Sequence, residues 1–68
     1  MNTDNNIGKA IKQRRKDLKI DQRTLSLLAH VSVNTIVAIE RGTTDPSLST
    51  IYKICSVLGL DINLDIKK

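Results

Sequence analysis

The sequence predicts a small, mainly α domain: four short helices followed by a single terminal β-strand. Three observations carry that reading. Apolar residues recur at helical spacing through most of the chain, as they do along one buried helix face. Between these stretches stand Asp21, Ser32 and Ser47, residue types that cap helix N-termini, while Gly42 and Gly59 suit the left-handed positions that end helices. From Leu60 to Ile66 the period changes to two, with Leu60, Ile62, Leu64 and Ile66 alternating with Asp61, Asn63 and Asp65. That is the pattern of a strand with one covered face.

Taken in order, residues 1–6 (MNTDNN) are polar and read as a flexible N-terminus, with Asn6 capping the first helix. In IGKAIKQRRKDLKI the stripe is Ile7, Ala10, Ile11 and Leu18, with the stem of Arg14 filling its gap. Asp21 opens a second helix of about two turns, with Leu25, Leu28 and Ala29 inward, which ends near His30. Ser32 opens a third, in which Ile36 and Ile39 point inward and Val33, Asn34, Val37, Ala38 and Arg41 point the other way. Pro46 breaks the chain after it. Ser47 then caps a fourth helix with Leu48, Ile51, Ile54, Cys55 and Leu58 inward. Residues 7–59 therefore form one domain, and residues 60–68 a terminal strand.

Composition narrows the function. A chain of 68 residues with 40% apolar content and one aromatic residue, Tyr52, must build its core from aliphatic side chains. At this length burial is modest and stability marginal. No apolar run approaches a membrane span, and the first residues lack a secretory signal, so a cytoplasmic protein without a membrane partner is expected. A lone cysteine, Cys55, excludes an internal disulfide and reads as a core residue. One histidine and scattered carboxylates offer no catalytic constellation, metal cluster or phosphate loop, so neither an enzyme nor a cofactor is expected. The net charge of +4 lies entirely at the front, where residues 1–23 hold seven Lys/Arg against three Asp. A basic first helix suits a polyanion or simply a solvated surface, and charge alone does not choose.

The second and third helices, residues 22–29 and 33–41, are joined by a short turn, which is the form of a helix-turn-helix. An α-helix fits the DNA major groove, where base edges differ in donors, acceptors and methyl groups. The stretch DQRTLSLLAHVSVNTIVAIERGTTDPSLSTIYKICSVLGL resembles the Cro/repressor (Xre) helix-turn-helix family, which is related to lambda-like phage repressors; the likeness spans residues 7–60. Its matching points are Gln22, Leu25, the AHVS turn, Ile36, the IERG of Ile39 to Gly42, Pro46, Leu48 and the LGL of Leu58 to Leu60.

The resemblance implies a lambda-repressor-like fold and particular roles. Gln22 would bond a phosphate at the start of the second helix. Val33, Asn34 and Ala38 would face bases, with Ser32, Thr35 and Val37 beside them, and Arg41, Thr43 and Thr44 would meet the flanking phosphate. Arg15 and Glu40 would form a structural ion pair between the first and third helices. The chemistry agrees: an Asn34 amide can bond N6 and N7 of adenine, and a valine can pack on a thymine methyl. Asn34 as a solvated first-turn residue and Val37 as a chance surface valine are the competing readings. Three residues depart from the family pattern: His30 for a turn glycine, Ser26 for alanine and Arg14 for leucine. His30 tolerates positive φ better than most residues, and a turn of slightly different angles is the alternative.

The leading expectation is a homodimeric repressor on a palindromic double-stranded operator, with two third helices in successive major grooves. Within that class the terminal strand resembles HipB-type antitoxins, whose gene lies beside a HipA-like kinase toxin and whose terminal strands form a shared ribbon. Leu60, Ile62, Leu64 and Ile66 would then be dimerisation residues, paired about Leu64 so that Asp61 opposes Lys67. The alternatives are a free-standing Xre or phage-type regulator, and a protein-binding module that donates its strand to a partner's sheet.

Overall fold

The computed structural model describes residues 3–62, with side chains from Ile7 onward. Four helices follow in order: α1 (Thr3–Asp17), α2 (Gln22–Ala29), α3 (Val33–Arg41) and α4 (Leu48–Leu58). Both α1 and α2 pack against α3 and α4, so the core lies where all four meet. Ile11, Leu25, Ile36, Ile54 and Leu58 are its fully buried members, one or two from each helix. At about 1.5–3 kcal/mol each, these side chains set the scale of the hydrophobic contribution.

The local rules are met at each junction. Asp21, Ser32 and Ser47 have extended backbone, and their side chains accept from the N–H of Thr24 (2.7 Å), Thr35 (3.1 Å) and Thr50 (3.2 Å). Gly42 and Gly59 end α3 and α4 at φ 76° and 71°. Arg14 Nε donates to the Leu58 carbonyl at 2.9 Å, so a cation closes the C-terminus of α4, where carbonyls lack helical partners. This gives the half-buried Arg14 a role at the position where the family pattern led us to expect leucine: its head serves a helix end.

Several expectations need correction. The first helix begins at Thr3, so Asn6 lies inside it rather than capping it; the apolar stripe starts at Ile7, but a helix continues beyond its stripe wherever solvent accepts the turn. Leu28 and Leu48 are 55% and 62% exposed, not inward. On α2 the third inward residue beside Leu25 and Ala29 is Ser26, whose hydroxyl donates to the Arg23 carbonyl at 2.7 Å and so tolerates burial. Ile7 and Leu18 are half-exposed.

Leu60, Asp61 and Ile62 form no strand, and Leu64 and Ile66 lie outside the described residues. The reason is elementary: an isolated strand in one chain has no partner for its backbone groups. Leu60 and Ile62 instead pack against the helical core. They form one wall of an apolar groove of about 490 Å³ that also takes in Ile7, Pro46, Leu48 and Ile51.

Candidate nucleic-acid interface

The turn between α2 and α3 sets the geometry. His30 adopts φ 57° and ψ 44°, and its backbone N–H closes α2 on the Ser26 carbonyl. Val31 N also reaches the Ser26 carbonyl, at 3.1 Å, so two amides converge on one acceptor and reverse the chain. A left-handed histidine is strained relative to glycine, whose greater chain entropy offsets only part of the relief. His30→Gly is therefore expected to add about 0.5 kcal/mol, seen as a rise in melting temperature of roughly 2–4 °C. A drop would show that the imidazole makes a stabilising contact.

α3 carries one acidic residue, Glu40, and the fold turns it inward. Arg15 Nε donates to Glu40 Oε2 at 2.8 Å and Arg15 Nη2 to Oε1 at 3.0 Å, a two-pronged pair whose side chains are 10% and 3% exposed. Arg15 Nη1 reaches the Ile20 carbonyl at 2.9 Å, so one guanidinium ties α1, the loop after it and α3. The hydrogen bond to Glu40 raises the Arg15 pKa above its ordinary value. With Glu40 neutralised below the surface, the exposed residues of α3 are Val33 (37%), Asn34 and Arg41, and Thr35, Val37 and Ala38 are half-buried. That surface is small, mixed polar and apolar, and free of negative charge.

The other residues expected at an interface lie around it. Ser32 and Thr35 share a hydroxyl contact of 2.8 Å at the N-terminus of α3. Thr43 folds back, its N–H and hydroxyl both directed at the Ala38 carbonyl (3.0 and 3.3 Å). Thr44 is exposed but lines the apolar groove. Gln22 is half-buried at the start of α2, and its Nε2 donates to Glu40 Oε1 at 3.0 Å. Next to it, the Asp21 carboxyl is held below its usual range, chiefly by the hydrogen bond from the Thr24 amide.

Two residues that position this surface escaped the sequence reading. Gly8, buried in α1, lies so close to α3 that a Cβ there would meet the Ile39 carbonyl oxygen and stand 3.2 Å from that of Glu40. Its signal was available: a glycine inside a helical stripe costs about 1 kcal/mol relative to alanine, which calls for a compensating role such as close packing. Lys19, at φ 60°, turns the chain out of α1; nothing in its residue type announces that. Among the described residues no group of three potential metal ligands exists, and no helix is long and apolar enough to cross a membrane.

Two helices joined through a left-handed turn, the second with its outer face uncharged up to Arg41, define a helix-turn-helix domain. Comparison with known proteins agrees: the chain belongs to the helix-turn-helix family of the Cro/repressor type, residues 11–64 matching that family. It is also 35% identical over 57 residues to the immunity repressor protein of Bacillus phage phi105. That match covers 84% of this chain and 40% of the phage protein, so the chain spans less than half of its relative's length.

Proposed function

We propose that this chain is a sequence-specific DNA-binding transcriptional repressor that reads its operator with α3. The observation that carries the proposal is the outer face of α3, where small neutral side chains and Arg41 remain after Glu40 has been withdrawn into its pair with Arg15. Val33, Asn34 and Ala38 are assigned to base edges, with Ser32, Thr35 and Val37 alongside; Gln22, Arg41, Thr43 and Thr44 are assigned to phosphates. Similarity to a protein named as an immunity repressor supports the repressor reading.

Asn34→Ala is expected to weaken operator binding by about 1–3 kcal/mol while the melting curve stays in place. A gel-shift titration gives the affinity, with the operator found by footprinting the promoter upstream of the gene. Unchanged affinity would remove Asn34 from the base contacts.

The proposed assembly is a homodimer on a palindromic site. It is supported by the apolar groove that Leu60 and Ile62 border, since an open groove flanked by half-exposed Ile7 and Leu48 favours a covering surface. Leu60, Ile62, Leu64 and Ile66 are the proposed contacts. Removing residues 61–68 is expected to yield a monomer in analytical ultracentrifugation at micromolar concentration; a persisting dimer would put the interface elsewhere. Of the finer readings, a phage-type regulator is favoured by the phage relative. The antitoxin of a HipA-like kinase toxin is the alternative, and a kinase-like reading frame beside the gene would favour it.

A further inference from the structure

Gln22 stands where α1, α2 and α3 converge on a single carboxylate. Glu40 Oε1 accepts from both Arg15 Nη2 and Gln22 Nε2, each at 3.0 Å, and Oε2 accepts from Arg15 Nε at 2.8 Å. With its side chain 3% exposed, Glu40 has little access to water that would compete for these donors. A carboxylate only accepts, so it selects the nitrogen of the Gln22 amide over the oxygen and fixes which end of that amide faces inward. Because an amide nitrogen carries two hydrogens in one plane, holding one of them fixes the direction of the other. That second N–H makes no hydrogen bond among the described residues.

We infer that Glu40 is a positioning residue for DNA: it pre-orients the Gln22 amide so that the second N–H is presented to a phosphate oxygen. The inference rests on the reading above, in which Gln22 meets the backbone of the operator. Arg15 completes the arrangement, because its guanidinium neutralises a carboxylate that would otherwise repel the phosphate it helps to bind. A glutamine free to turn would have to be ordered at the moment of binding, at a cost in side-chain entropy that the pre-bonded amide has already met.

The test is a double-mutant cycle on Gln22→Ala and Glu40→Leu, the second of which removes both acceptor oxygens. Affinity is measured by fluorescence anisotropy at low temperature, on a duplex that the wild-type chain selects from a random-sequence pool, with folding of each variant checked by circular dichroism. Each single substitution is expected to weaken binding by about tenfold, the scale of one hydrogen bond to a charged group, and the double variant should bind no worse than Gln22→Ala alone. Full additivity, or an unchanged affinity for either single variant, would overturn the positioning role. Should Glu40→Leu not fold, ¹⁵N relaxation of the Gln22 side-chain amide in the free wild-type chain decides the matter. An order parameter close to the rigid-backbone value of about 0.85 supports it, and one under about 0.6 overturns it. If the wild-type chain selects no duplex from the pool, the DNA-binding reading itself fails and the inference with it. A chain that binds DNA while the two residues act independently loses only the positioning role.

Discussion

Gly8→Val is expected to leave most of the chain unfolded at room temperature. A Cβ at this position would overlap the Ile39 carbonyl oxygen and stand 3.2 and 3.3 Å from the Glu40 carbonyl oxygen and Cα, all of them α3 backbone. None of these atoms can rotate away, so the helices must separate. Separation costs more than the direct overlap, because Arg15 and Glu40 bridge the same pair of helices and their geometry is lost as the gap opens. Overpacking alone costs about 1–3 kcal/mol, and strain on a buried ion pair adds to it. A chain of this length holds on the order of 3–10 kcal/mol in total. Gly8→Ala should be milder, since alanine regains about 1 kcal/mol of helix propensity, yet still net destabilising. Urea titrations followed by circular dichroism at 222 nm would measure both; an alanine variant as stable as the parent would show that α1 can move outward freely.

Arg15→Met is expected to cost about 3–5 kcal/mol, the penalty for stranding one member of a buried pair. The methionine keeps the apolar length of the side chain, so the loss isolates the charge. Glu40 would then be a carboxylate at 3% exposure with only the Gln22 amide for company, and the Ile20 carbonyl would lose the Arg15 Nη1 donor. Removing both charges together, as Arg15→Met with Glu40→Leu, should recover much of the stability, because a well-packed apolar pair avoids the desolvation that the ions incur. The same denaturant titrations compare the three proteins. A double variant no more stable than the single would mean that the pair stabilises by its hydrogen bonds rather than merely tolerating its burial.

Most of the helical framework was legible because short-range chemistry specifies it. Asp21, Ser32 and Ser47 cap, Gly42 and Gly59 terminate, and the observed bounds of α2 and α3 coincide with those read from the spacing. What periodicity alone could not supply was which of two adjacent apolar stripes faces inward. On α2, Leu25, Leu27, Leu28 and Ala29 are all apolar, and the partner helix, not the sequence pattern, selects Leu25 and Ala29 and takes Ser26 over Leu28. Leu48 was misplaced for a similar reason: a first-turn residue lies at the rim of its helix, where the core has already ended. On α3 the inward residues Ile36 and Ile39 were legible from the spacing, but the inward bond of Gln22 was not. Linking Gln22 to Glu40 requires knowing that residues eighteen apart meet, and that contact is made by tertiary packing. The alternation from Leu60 onward did not translate into a strand at Leu60 to Ile62, because period two describes a face and says nothing of a hydrogen-bonding neighbour.

The Arg14 cap on α4 has a geometric consequence. Its bond to the Leu58 carbonyl, the left-handed Gly59 beside it and the Leu60 amide bonded back to the Cys55 carbonyl at 2.9 Å together fix the direction in which the main chain departs from the bundle. The chain therefore leaves α4 on a fixed course that lays Leu60 and Ile62 against the helical core. In the proposed two-fold assembly that course would act as a ruler, the separation of the two copies of α3 being inherited from one arginine and one glycine outside α3 itself.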